Sequence, residues 1–148
     1  MEALQQSPEA FGSSFEEEKD QTAAKYKERF DSSLDAVTFG AFVDSQLVGV
    51  VTLVKEKLVK MRHRANVVAM YVTPQKRGSG IGKALLSKVI EQAKELPEIE
   101  QIYLSVVTTN ESAIKLYSVK GFNVFGTEER ALKFDNTYFD EHHMVRYL

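Results

Sequence analysis

The feature that most constrains this chain is the segment at residues 70–86, MYVTPQKRGSGIGKALL. There an apolar run ends at Pro74, three glycines follow at alternate positions, and a helical period begins. Glycines at 78, 80 and 82 let the backbone turn sharply and approach a ligand closely, because no Cβ stands in the way. Downstream, Ile81, Ala84, Leu85, Val89 and Ala93 recur at helical spacing until Leu96 and Pro97, which predicts a helix opening on the glycines. Strand, glycine turn and helix N-terminus together present outward N–H groups and the positive end of the helix dipole, which makes an anion site. Lys76, Arg77 and Lys83 add full positive charges around the same turn, and a pyrophosphate is its natural guest.

Phosphate loops of two common kinds do not fit. A Walker A loop needs glycine at position 77 and Ser or Thr after Lys83, where the sequence has Arg77 and Ala84. A dinucleotide fingerprint starting at Gly78 needs glycine or alanine where Lys83 stands, and it normally opens a series of βαβ units.

Around this segment the periods alternate. The first third is polar and helix-prone, with Phe11, Phe15, Tyr26 and Phe30 as apolar anchors of two short helices joined by a turn at residues 12–14. Residues 37–42 and 47–54 are β-rich runs around a turn of hairpin length, Val43, Asp44, Ser45 and Gln46, which predicts an antiparallel pair. A basic connection, residues 55–64, leads to a third run at 65–72, whose Val67, Val68, Ala69 and Met70 predict burial on both faces. After the glycine helix come a strand at residues 101–107 and a helix at about 110–120. Its N-terminus has either a capping box of Thr108 with Glu111 or an Asn110 cap, and Gly121 stands at its C-terminal stop. The tail, residues 122–148, reads as two strands around a turn at 135–137. This order predicts one α+β, mixed-sheet domain over residues 1–148 with helices packed on its faces.

Composition excludes several classes. A chain of 148 residues suits one core, and a net charge of -2 announces neither nucleic acid nor an anionic membrane as partner. With no cysteine there is no disulfide framework, thiolate nucleophile or cysteine-ligated metal, which fits the cytoplasm. No run stays apolar long enough to span a bilayer, and residues 1–4 open no signal peptide, so a soluble, unprocessed protein is expected. Adjacent His142 and His143 would point to opposite faces of a strand and lack nearby carboxylate spacing, so no metal is expected. The basic residues between 55 and 64 lack an aromatic platform and read as a solvated connection rather than a nucleic-acid site.

Gln75, Gly78 and Gly80 meet the pattern Gln-x-x-Gly-x-Gly. With Arg77, Ile81, Gly82 and Leu85 they make the segment resemble the pyrophosphate loop of the GCN5-related N-acetyltransferase (GNAT) superfamily. A second stretch, TTNESAIKLYSVKGF at residues 108–122, is similar to that family's later strand-to-helix region, and the likeness covers most of the chain. The resemblance implies a central mixed, mostly antiparallel twisted sheet flanked by helices. It implies transfer of the acetyl group of acetyl-CoA to a primary amine by direct attack in a ternary complex. The alternative is a non-catalytic acyl-CoA-binding sensor or complex subunit.

By the same resemblance, Gln75, Lys76, Arg77, Gly78, Ser79, Gly80, Ile81, Gly82 and Lys83 hold the pyrophosphate. Met70, Tyr71 and Val72 bond the pantetheine arm by their backbone, with the N–H of Tyr71 or Val72 polarising the thioester carbonyl. Asn110 contacts the pantetheine. Tyr117 stands near the sulfur as the acid that assists thiolate departure.

Plainer roles stand beside these. The loop could be a tight turn with solvated lysines, Tyr117 could pack with Ala113 and Leu116, and Asn110 could be only a cap. No general base announces itself: Glu98, Glu100 and His63 rank low. The acidic run Glu16, Glu17 and Glu18 lies where relatives place the acceptor loop and could attract a cationic amine. Residues 1–7 resemble the second half of the family's first helix, so the first strand has no counterpart in this sequence. The acceptor is a small-molecule or peptide amine, and a homodimer through an exposed edge strand or the C-terminal strands is compatible with the pattern.

Overall fold

The computed structural model describes residues 35–148. The expected N-terminal helices with their turn, the acidic run at 16–18 and residues 1–7 lie outside the described residues. The described part begins with β1 (Ala36–Val43) and β2 (Gln46–Lys55), an antiparallel hairpin closed by Asp44 and Ser45. Both turn residues take positive φ, 51° and 66°, as a two-residue turn matched to strand twist requires. Beyond a short 3-10 turn, Val59–Met61, β3 (Arg64–Val72) pairs antiparallel with β2.

From β3 the chain crosses through α1 (Ile81–Glu95) to β4 (Gln101–Val107), which is parallel to β3. It crosses again through α2 (Glu111–Val119) to β5 (Asn123–Phe134) and returns as β6 (Thr137–Tyr147). The last strand inserts between its neighbours, giving a six-stranded order β1-β2-β3-β4-β6-β5 in which β3 with β4 is the parallel pair. The sheet is therefore mixed and mostly antiparallel, in an α+β arrangement.

The core lies between one face of the sheet and both helices. Val51, Leu53, Ala65, Val67, Ile102, Leu104 and Met144 alternate inward from the strands. They meet Leu85, Leu86, Val89, Ile90 and Ala93, a continuous stripe of α1. Burying a side chain such as Leu86 or Val89 contributes roughly 1.5–3 kcal/mol each. Ala84, counted on that stripe from its spacing, is exposed instead.

Both helix ends of α2 are settled by local chemistry. The Asn110 side chain accepts from the Ala113 N–H at 3.3 Å, so Asn110 rather than Thr108 is the cap. Gly121, at φ 90°, reverses the chain so that the Phe122 N–H reaches the Tyr117 carbonyl at 3.0 Å and the Phe122 ring is buried. Among the described residues no helix is long and apolar enough to cross a membrane.

One expectation fails in β3. Val67 is buried, but Val68 is 43% exposed and Ala69 is exposed too, so the run is not covered on both faces. Along the same stretch the pairing of the strand breaks on each side.

Candidate functional site

The first break is a bulge. Pairing of β2 with β3 shifts between Val50 and Thr52, so that Val51 faces both Ala69 and Met70. Ala69 takes φ 55°, a left-handed conformation that costs a residue with a Cβ about 1–2 kcal/mol. The second break is on the other edge. Parallel pairing of β3 with β4 runs through Arg64 with Gln101, Ala65 with Ile102 and Asn66 with Tyr103, and then stops. Beyond that point the strands part around a cleft of about 80 Å³, lined by Val68, Ala69, Met70, Ser105, Asn110 and Tyr117 among others.

The glycine turn follows at the open end of β3. The Thr73 N–H donates to the Val48 carbonyl of β2 at 2.8 Å, whereas the Val72 carbonyl accepts from Arg77 Nε at 2.9 Å. Successive residues of an extended strand turn their N–H and C=O groups to opposite edges, so Val72 presents its backbone away from β2 and toward the cleft side. The Arg77 guanidinium also lies 5.2 Å from the centroid of the buried Tyr71 ring. A 3-10 turn, Pro74–Lys76, carries exposed Gln75 and half-buried Lys76, and the Ser79 hydroxyl donates to the Lys76 carbonyl.

Gly78 and Gly80 take φ of 82° and 85°, and a Cβ on either would meet nothing within 4 Å. Their need for glycine is therefore conformational, and the space over them is open. Gly80 caps α1 without a side-chain bond, and no acid stands in the first turn, so the dipole there is not neutralised by the helix itself. Ile81 is half-buried and Lys83 exposed beside it. Gly82 serves packing instead: a Cβ there would lie 3.4 Å from Leu116 and 3.5 Å from Met70, which seats α1 against the cleft wall.

Tyr117 is buried in the core, with its ring 6.0 Å from that of Phe122 in an edge-on arrangement, and it also lines the cleft. Burial pushes its phenol up to about 12, so it is a protonated donor across the physiological range. Asn110 likewise caps α2 and lines the cleft, so its two roles are compatible.

A second cavity, about 490 Å³, opens beside the first, lined by Arg64, Asn66, Tyr103, Ser105, Phe125 and His143 among others. Val67, Val68, Ala69, Leu104 and Ser105 line both, so the two spaces share a wall. Arg64 lays its guanidinium 3.9 Å over the Tyr103 ring, and its buried Nε has no hydrogen-bond partner. The Ser105 hydroxyl stands 2.7 Å from His143 Nδ1, and His143 Nε2 stands 3.0 Å from a Glu128 carboxylate oxygen. Burial raises the Glu141 carboxyl; His143 opposes that shift and Glu128 adds to it.

Sequence reasoning missed this cluster. In the sequence His143 signals at most a metal ligand, and Ser105 and Glu128 carry no local signal. What joins them is register: Ser105 lies opposite His143 across β4 and β6, 38 positions apart. Only a correct pairing of β4, β5 and β6 could have found it. His142 points to the other face, where its Nδ1 meets the Thr127 hydroxyl at 2.8 Å. Among the described residues no group of three potential metal ligands occurs. The candidates Glu100 and His63 sit where the His63 carbonyl accepts from the Glu100 N–H, at the paired end of β3 and away from the cleft.

Comparison with known proteins adds relatives to this geometry. Residues 2–122 match the Acetyltransferase (GNAT) family. Over 106 residues the chain is 27% identical to the L-amino acid N-acetyltransferase AaaT of Escherichia coli (strain K12), covering 72% of this chain and 65% of that protein. Over 95 residues it is 35% identical to an N-alpha-acetyltransferase of Sulfurisphaera tokodaii, covering 60% of this chain and 57% of the relative. The chain thus spans less than two thirds of the length of either. Among solved structures, a GCN5-related N-acetyltransferase from Kribbella flavida superposes with a TM-score of 0.76 at 26% identity, covering 94% of this chain and 82% of that one.

Proposed function

This chain belongs to the Acetyltransferase (GNAT) family, and from that premise we propose that it transfers the acetyl group of acetyl-CoA to a primary amine by direct attack in a ternary complex. The observation that carries the reading is the cleft between β3 and β4, with Asn110 and Tyr117 in its wall and the glycine turn following the same strand β3. In this reading the pyrophosphate sits on the turn at residues 75–83, met by backbone N–H groups, Lys76, Arg77 and Lys83. The pantetheine arm takes the edge of β3 that β4 leaves unpaired. Met70 and Asn110 border it, and the Val72 N–H polarises the thioester carbonyl where negative charge develops.

Amine attack gives a tetrahedral intermediate that expels a thiolate, and Tyr117 donates its proton to the leaving sulfur. A phenol held protonated by burial suits that role, since it does not ionise at working pH. The acceptor reaches the carbonyl from the larger cavity across the shared wall. Among its described lining residues Arg64 is the one permanent charge, and its guanidinium can meet an anionic group carried by the acceptor. The protein would work in the cytoplasm.

Calorimetric titration with acetyl-CoA, CoA and ATP, beside a Gly80→Glu variant, tests the donor site. Binding of acetyl-CoA but not ATP, lost in the variant, followed by transfer to a panel of amines, is the expected result. A folded sample that does not bind acetyl-CoA overturns the reading. Binding without transfer would leave an acyl-CoA sensor instead.

A further inference from the structure

We propose that His143 is the general base of this reaction, drawing the proton from the acceptor ammonium through the Ser105 hydroxyl while Glu128 holds the far side of its ring. The proposal rests on the transferase reading above and supplies the step that reading lacks, since an ammonium cannot attack a thioester until it loses a proton.

The hydrogen bonds set the direction of transfer. A Glu128 carboxylate can only accept, so His143 Nε2 carries a hydrogen toward it at 3.0 Å. Neutral His143 then has its lone pair on Nδ1, and the Ser105 hydroxyl donates to that atom at 2.7 Å. Ser105 is exposed and stands in the wall common to the cleft and the larger cavity, so its oxygen is where an acceptor nitrogen would meet the thioester. His143 is 32% exposed, less than Glu128 at 56%, and the Phe125 ring lies 6.2 Å away, shielding one side.

The charged and polar groups around the ring come from four strands. Glu128 of β5 touches it, Glu141 of β6 interacts with it electrostatically, and Arg64 of β3 and Tyr103 of β4 line the same cavity.

The protons balance as follows. The ammonium passes one proton to Ser105 Oγ as the hydroxyl gives its own to His143 Nδ1, leaving a neutral amine and an imidazolium paired with Glu128. The amine nitrogen bonds to the thioester carbonyl carbon, and the C–S bond breaks. The nitrogen's surplus proton leaves through water, the thiolate takes the Tyr117 proton, and the phenolate is reprotonated from that water. His143 returns its proton to solvent, so the products are amide, CoA thiol and one proton.

The test is a pH–rate profile of CoA release with an accepted amine for the wild type, His143→Gln, Glu128→Gln and His142→Gln, each also titrated with acetyl-CoA. His143→Gln is expected to lose about 100-fold in kcat/KM at neutral pH with acetyl-CoA binding unchanged, and to recover toward high pH as the amine deprotonates by itself. Glu128→Gln should lose activity at neutral pH and recover toward high pH, because the ring is no longer held with its lone pair on Nδ1. A merely structural role would give a loss that is the same at every pH. His142→Gln should match the wild type.

A His143→Gln enzyme within about three-fold of wild type and with the same acid limb overturns the base while leaving the transferase intact. If His143→Gln misfolds by circular dichroism, a Glu128→Gln profile that matches the wild type decides against the proposal equally. A wild type that binds acetyl-CoA but acetylates no amine removes the transferase reading and this base with it.

Discussion

Asn66 and Tyr103 form the last rung of parallel pairing between β3 and β4. The cleft, the glycine turn and Tyr117 all lie beyond it, on the side where the strands part. The rung is also the floor of the larger cavity, where Arg64 stacks on the Tyr103 ring at 3.9 Å. One pair of residues thus marks where β3 and β4 stop bonding to each other.

Tyr117→Phe keeps the edge-on packing with Phe122 and removes only the hydroxyl. It is expected to lower kcat about 10- to 100-fold with little change in acetyl-CoA affinity. Steady-state kinetics with isothermal titration check this, and a kcat within about two-fold of wild type would assign Tyr117 to packing alone.

The same phenol predicts an alkaline loss of stability. Its ionisation lies at about 12 in the folded chain against an ordinary 10.0, so the folded state holds the proton more tightly. Stability from this group is whole below pH 10 and falls as pH rises toward 12, by a total of about 3 kcal/mol. Urea unfolding of the wild type between pH 9 and 11 (about the accessible range) should show that decline beginning, and Tyr117→Phe should lack this component.

The glycines should separate by cause. Gly80→Ala puts a Cβ on a left-handed residue and is expected to cost about 1 kcal/mol, while Gly82→Ala enters ordinary contact with Leu116 and Met70 inside a helix and should be neutral or stabilising by up to about 1 kcal/mol. Thermal melts of both variants decide it. Equal losses would mean that the left-handed conformation does not set Gly80 apart from Gly82.

Arg64→Gln removes the cation from the larger cavity, proposed above to admit the acceptor. The KM for amines bearing a carboxylate should rise about 10-fold, with the KM for uncharged amines nearly unchanged. A uniform rise across the panel would instead assign Arg64 to stacking on Tyr103.

Much of this architecture is written locally. The turn at Asp44 and Ser45, the Asn110 cap, the Gly121 stop and the glycine turn each follow from residues within a few positions of one another, and so does β4, whose bounds match the run at 101–107. Helical spacing likewise gave α1, although Ala84 shows that periodicity misjudges a margin of the buried stripe. These features depend on backbone conformations that short-range chemistry selects.

The sequence by itself determined the strands and helices of the described residues and the glycine turn between β3 and α1, because each is fixed by contacts near in the chain. Only the tertiary structure decided that β3 would bulge at Ala69 and part from β4 after Asn66, and that β6 would slip between β4 and β5. That insertion sets Ser105 opposite His143 and brings Glu128 to the far nitrogen of the same ring. The physical reason is that cross-strand register depends on how whole faces bury against α1 and α2, and a shift of one residue would turn His143 to the other side of the sheet.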